Sequence, residues 1–274
     1  MTGEALTGLQ PTGASPSHLA PLDPPHPSLL RNDTFPRKGE GSAPTTSETR
    51  MSLLQTFFNS EVMLDSLPAL LRGLRNTLVL SLFSILCGVV LGLVVCLIRL
   101  YAPLLLRAIA IVYIDLFRAM PMLVILILIY YALPFLGVRF SSWTSAILAF
   151  SLVMGAYSAE VFRAGVEGVP RGQFEAAGAL GLPFLLTLRR VVLPQAMRAI
   201  IPPMTGNCVS MFKDTSLAST VALPELLNEA TNSQALYANP SPLIMAAIIY
   251  VVFLWPMVRL VSVLEQRLKA SRAR

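Results

Sequence analysis

Uncharged apolar runs constrain this chain more than any other feature. From Thr77 to Ile98 no residue carries a charge. A helix needs ~20 apolar residues to cross a hydrocarbon core of ~30 Å, so this stretch is long enough to span. Backbone polar groups find no water at that depth, and a lone run can satisfy them only as a helix. Composition agrees: 54% of residues are hydrophobic and 13% charged, against about 25% charged in an ordinary soluble domain. The sequence therefore reads as an all-α integral membrane protein with about five transmembrane helices. The expected spans are 77–98, about 108–134, 143–162, about 196–217 and about 241–264.

The second region is too long to be simple. Leu104 to Val138 as one straight helix would reach ~50 Å, so it must extend out of the bilayer, kink or break. Pro121 is the expected place, because it lacks a backbone donor and clashes with the preceding turn. Asp115 and Arg118, three apart, fall on one helix face and could pair there. Gly88 and Gly92 form a small-residue pair that lets helices approach closely, and are read as packing only. Pro202 and Pro203 are expected near the start of the fourth span, where missing donors are tolerated. Cys87 and Cys96 fall on opposite faces of one helix and are read, with Cys208, as small packing residues. Both histidines, His18 and His26, precede the first span.

Residues 1–50 are rich in Pro, Ser, Thr and Gly and have no apolar run. They read as a disordered tail or a mis-assigned start, with Met51 the expected true start. Residues 51–74 are expected to form an amphipathic lead in the membrane interface, where Arg72 and Arg75 snorkel to the surface. Residues 266–274 form a basic tail. With the N-terminus outside and the C-terminus inside, the inside pieces carry Arg99, Arg107, Arg163, Arg171, Arg189, Arg190, Arg267, Lys269, Arg272 and Arg274. The outside loops hold Arg139 with Glu225 and Glu229. This is the positive-inside asymmetry. The formal charge of +6 is thereby explained by residues flanking spans, and no nucleic-acid recognition module accompanies it.

One inside loop, 163–195, has an unusual spacing. It reads Glu175-Ala176-Ala177, three residues, Gly181, nine residues, then Val191-Val192-Leu193-Pro194. Gln173–Leu180 is expected to be a helix with Phe174, Ala177 and Gly181 on one stripe. Glu175 would sit in its first turn, where a carboxylate favours the helix dipole. Gly181 ends the helix and Pro183 opens a second, basic helix that ends at Pro194. Read from pattern alone, the loop either lies on the membrane surface or inserts its small-residue helix into a groove of another protein. The chain has no Gly-x-x-x-x-Gly-Lys-Ser/Thr phosphate loop.

The full spacing resembles the coupling loop of bacterial ABC importer permeases, with Val191 in place of the usual Ile. The resemblance runs from about Gly73 to Glu265 and is closest to the polar amino acid branch, the histidine and glutamine permease type. It is carried by Phe117-Arg118-Ala119-Met120-Pro121, by Ala156 to Gly165, by Gly172-Gln173 before the Glu-Ala-Ala, by Leu193-Pro194-Gln195-Ala196, and by Lys213-Asp214-Thr215-Ser216-Leu217 followed by Glu225-Leu226. Ala119-Met120 replace the more usual Gly-Thr, and the 50-residue tail is not a family feature. The resemblance implies a permease subunit that moves a polar amino acid across the bacterial cytoplasmic membrane by alternating access. It implies as partners a separate ATPase subunit holding ATP and Mg, a second permease subunit (identical or paralogous), an external substrate-binding protein and membrane lipid. This chain itself would bind no cofactor and no metal. Glu175, Ala176, Ala177, Gly181 and Pro194 become the expected ATPase-coupling residues.

Charged and polar residues inside spans usually face a cavity or a partner. Lys213, Asp214, Asn207, Ser210 and Tyr157 are therefore the candidate translocation-path residues. The alternatives are an interfacial Lys213–Asp214 pair and interhelical hydrogen bonds from Asn207 and Ser210. Glu160 and Arg163 are read as a structural ion pair orienting the loop. Rival functions are a permease for an osmolyte or a sulfonate, a membrane enzyme, and a scaffold. The spans contain no His to act as a base and no nucleophile–base constellation, which argues against the enzyme.

Overall fold

A computed structural model describes residues 55–272 of the chain, and only the backbone of 267–272. The expectations for residues 1–50, for Met51 as start and for the side chains of the basic tail lie outside the described residues. Among the described residues there is no strand.

Helix α1, Ser60–Tyr101, has 42 residues and is therefore about 63 Å long. The Asn59 side chain caps it, accepting from the backbone N–H of Glu61 at 3.1 Å and Val62 at 3.3 Å. The expected separate lead over 51–74 does not exist as such from Ser60 onward: nothing after the Asn59 cap ends the helix, and Pro68 lies inside it. Arg72 and Arg75 thus stand on the same helix as the first span, both exposed.

Helix α2, Leu104–Ala119, and helix α3, which starts at Met122, meet at a bend of 106°. The break falls at Pro121, as expected, so the span placed at about 108–134 is a broken one. The cause is local. Met120 precedes proline and is forced into extended backbone (φ −86°, ψ 139°), and Pro121 has no N–H to continue the ladder. After Ile127 the chain tightens through a π turn, Leu128–Ala132, and a 3₁₀ turn, Leu133–Leu136. The Tyr131 hydroxyl then donates to the Thr220 carbonyl at 3.1 Å.

Helix α4, Ser142–Glu167, is the centre of the molecule and packs along α1. The contact is made by a stripe of small residues. A methyl on Gly88 would lie 2.5 Å from Met154 Cβ, and one on Gly92 would lie 2.5 Å from Ser158 Cβ. The core around it contains Leu80, Ile125, Leu126, Phe150, Met154, Met211 and Leu223.

Helices α5 (Arg171–Ala179) and α6 (Phe184–Thr187) form the 163–195 loop, and helix α7 is Leu193–Asp214. A 3₁₀ segment, Thr215–Val221, leads to helix α8, Leu226–Tyr237, and helix α9 is Ser241–Arg272. Pro202 and Pro203 stand mid-helix in α7 rather than at its start, because that helix begins at Leu193. Among the described residues three helices are long and apolar enough to cross a membrane, and the bent α2–α3 pair raises this to at most four. The expected fourth span, about 196–217, falls short because α7 carries Arg198, Lys213, Asp214 and several amides and hydroxyls.

Candidate translocation cleft and coupling loop

The break at Pro121 leaves space. A cleft of about 670 Å³ is lined by Arg118, Met120 and Pro121 from the break, Val153, Met154 and Tyr157 from α4, and Asn207, Ser210, Met211 and Asp214 from α7. Four of the five candidate path residues, Tyr157, Asn207, Ser210 and Asp214, are thereby brought to one wall-lined space. Lys213 is exposed and does not line it. Thr215 and Ser216 spend their hydroxyls on their own helix, donating to Phe212 and Lys213 carbonyls at 2.8 and 2.7 Å.

Arg118 is the cleft residue that the path reasoning missed. It does not pair with Asp115: its guanidinium lies over the Tyr157 ring, 5.6 Å from the centroid. That position stabilises a cation by the ring quadrupole while leaving its donors free. Asp115 is exposed and makes no ion pair among the described residues. The signal was present, since an arginine three residues before a span-breaking proline stands beside the gap that the break opens. The cleft therefore offers one cation (Arg118), one carboxylate (Asp214), one amide (Asn207) and two hydroxyls (Ser210 and Tyr157) among apolar walls.

A second charged cluster lies at the far end of α4. Glu160 accepts from Arg99 Nη1 at 2.9 Å and from Arg163 Nε at 3.1 Å, and Arg163 also pairs with Glu167. All but Glu167 are about three-quarters buried at the side chain. Glu160 thus ties α1 to the last turns of α4, immediately before the loop.

The loop folds by its punctuation. Pro170 starts α5, two residues earlier than expected, so Glu175 sits in the second turn rather than the first. Gly181 adopts φ +69°. Its N–H bonds the Gly178 carbonyl at 2.9 Å, and Leu182 N–H bonds Ala177 at 3.0 Å. These are the paired bonds of a left-handed helix stop. Pro183 is the cap residue of α6 rather than its first helical residue. No second helix ends at Pro194. The chain runs through a π turn, Leu188–Val192, into α7, with Pro194 in the first turn of that helix. The widened turn, in which Leu193 N–H bonds Leu188 carbonyl, leads the chain into a position where a missing donor costs little.

Ala177 is buried, and Phe174 packs with Val169, Val192, Ala196 and Ile200. The opposite face is bare. Glu175, Ala176, Gly178, Gly181 and Pro194 are exposed, as are Leu180, Phe184 and Leu185. Glu175 makes no ion pair or side-chain hydrogen bond among the described residues.

The α8 segment is fixed to α1 by a residue read only as an outer acid. Glu225 is fully buried. Its carboxylate caps α8, accepting from Leu227 N–H at 2.9 Å and Asn228 N–H at 2.7 Å, and it accepts from the Tyr250 hydroxyl at 3.2 Å. Asn76 and Thr77 of α1 bond Pro224 carbonyl and Leu226 N–H. Burial pushes the Glu225 carboxyl above its ordinary value, although all these donors oppose the shift.

These features define a helical membrane component with a polar cleft at a broken helix and a protruding helix-bend-helix loop. The family described as "Binding-protein-dependent transport system inner membrane component" matches residues 84–270, and the chain belongs to it. It is 39% identical over 173 residues to the probable amino-acid ABC transporter permease protein YckA of Bacillus subtilis, covering 63% of this chain and 76% of that one. It is 33% identical over 204 residues to the putative glutamine transport system permease protein GlnP of Rickettsia bellii, covering 74% and 94%. A chain in the crystal structure of an amino acid ABC transporter with histidines matches with a TM-score of 0.71 at 32% identity, covering 75% of this chain and 96% of that one.

Proposed function

We propose that this chain is the permease subunit of an ATP-driven importer of a polar amino acid. The observation that carries the reading is the cleft. Arg118 and Asp214 line the same space, and a zwitterionic amino acid presents a carboxylate for one and an ammonium for the other. Asn207 and Ser210 supply the neutral hydrogen bonds that orient such a ligand. Tyr157 holds Arg118 in place from beneath, and Lys213 belongs to the approach rather than to the cleft. The names of the relatives support the same substrate class.

The chemistry of ATP belongs to a separate subunit, which holds the nucleotide and Mg. Glu175, Ala176, Ala177, Gly181 and Pro194 form the loop that this ATPase grips, and the bare apolar face at Leu180, Phe184 and Leu185 supports a protein partner there. Glu160 and Arg163 orient the loop from the end of α4. A second permease subunit and an external binding protein complete the importer. With α7 counted as a fifth crossing, the N-terminus lies outside, and the C-terminus, Arg99, Arg107 and Arg163 lie at the cytoplasmic side. The movement is rigid-body alternating access.

The test is co-purification in mild detergent from native membranes. An ATPase subunit is expected with the wild-type chain and is lost with Gly181→Val, because the left-handed φ at that position excludes a β-branched side chain. Absence of any ATPase from the wild-type preparation after gentle crosslinking overturns the reading.

A further inference from the structure

A small pocket separate from the cleft lies where the end of α1, the start of α2 and the last turns of α4 meet. It measures about 230 Å³ and is lined by Arg99, Leu100, Arg107, Ile111, Arg163 and Glu167. Three guanidinium groups converge on it, and two carboxylates, Glu160 and Glu167, answer them. Arg99 and Arg163 are engaged by those carboxylates. Arg107 is not: among the described residues its side chain donates only to the Leu100 carbonyl, at a long 3.3 Å. The cluster therefore retains one positive charge, three less two, on a residue with donors to spare.

The surroundings say where that charge stands. Tyr101, Leu104 and Leu105 flank the pocket with 66%, 81% and 74% of their surfaces exposed. Large apolar side chains left this bare beside arginines belong at the boundary between acyl chains and headgroups. A basic pocket between helices at that level matches a phosphate diester in charge, size and hydrogen-bonding capacity.

We infer that this pocket binds the phosphate of an anionic lipid headgroup, with Arg107 as its principal donor and the acyl chains lying along Tyr101, Leu104 and Leu105. The inference rests on the membrane-spanning reading of α1 and α4 but not on the substrate or the ATPase partner.

Native mass spectrometry of the full chain, with whatever subunits co-purify, tests it. The preparation is titrated separately with phosphatidylglycerol, phosphatidylcholine and inorganic phosphate. Wild type is expected to retain phosphatidylglycerol about five-fold over phosphatidylcholine, the preference that one arginine near a surface supplies. Arg107→Gln abolishes the preference, Arg107→Lys keeps part of it, and Arg189→Gln, on an exposed loop arginine, leaves it unchanged. Arg107 is exposed and holds no ion pair, so each variant should unfold at the wild-type temperature; should Arg107→Gln not do so, the graded effect of Arg107→Lys carries the test. Equal retention of the two lipids by wild type, or an unchanged preference in the Arg107 variants, overturns the site. Displacement of phosphatidylglycerol by inorganic phosphate at matched concentration assigns a free anion instead and overturns the lipid source.

Discussion

Replacing Gly92 by alanine tests the packing that holds the cleft together. The new methyl would lie 2.5 Å from Ser158 Cβ, 2.8 Å from the Gly155 carbonyl oxygen and 2.9 Å from Ala159 N. Carbon contacts settle at ~3.5–4.0 Å, so α1 must withdraw from α4 by roughly 1 Å. Two of the three obstructing atoms are backbone and cannot rotate away. Overpacking of this kind costs ~1–3 kcal/mol, while alanine for glycine inside a helix returns ~0.8–1 kcal/mol of propensity. Gly206→Ala isolates the second effect, because a methyl there meets nothing within 4 Å. The difference between the two variants is therefore the packing cost itself. At ~2 kcal/mol it corresponds to about 4–8 °C for a domain of this size. Thermal unfolding of the purified chain in one detergent measures it. Gly206→Ala should unfold at or above wild type and Gly92→Ala below it. Equal unfolding temperatures for the two variants would refute the close α1–α4 contact.

Arg118→Gln and Asp214→Asn should each lower ATP-driven uptake by tenfold or more, the loss of ~1.4 kcal/mol or more of ligand interaction, with unfolding temperatures unchanged. Lys213→Ala should lower it less, since that side chain stands outside the cleft, and equal losses for all three would assign Lys213 to the path. Glu225→Gln should flatten the pH dependence of stability. The raised carboxyl contributes stability that is complete below its unfolded value of 4.5 and is lost as pH rises through the folded value. Wild type should therefore soften on moving from acid toward neutral pH more than the glutamine variant does, and parallel curves would remove Glu225 from the account. Glu160→Gln leaves Arg99 and Arg163 without their shared counterion and should cost about 1 kcal/mol, the upper range for partly solvated pairs, read as a lower and less salt-sensitive unfolding temperature.

How far the sequence spoke for itself depended on whether the controlling physics was local. The break at Pro121 was readable because a missing donor and the restriction on the preceding residue act within two positions. Gly181 was readable for the same reason, as the only residue type that enters a left-handed helix stop at no cost. What came from distant partners was not readable. Helical spacing offers Asp115 as a partner for Arg118, yet the ring of Tyr157, far along the chain, takes it. In the sequence Glu225 is one acidic residue of an outside loop, and only the meeting of α1, α8 and α9 buries it. The amphipathic lead was set apart from the first span on composition, although no residue between Ser60 and Tyr101 stops the helix. In α7 the polar residues that make the helix a candidate path wall also remove its signature as a span.

Reconstitution tests the central claim most directly. The chain is placed in proteoliposomes with the ATPase and permease subunits that co-purify with it, ATP is enclosed on the ATPase side, and a panel of radiolabelled solutes is supplied with the cognate binding protein. The account predicts ATP-dependent accumulation of one or a few polar amino acids, lowered tenfold or more by Asp214→Asn and abolished by Gly181→Val. Accumulation of an osmolyte or a sulfonate with no response to any amino acid, or uptake that persists without ATP, would contradict it.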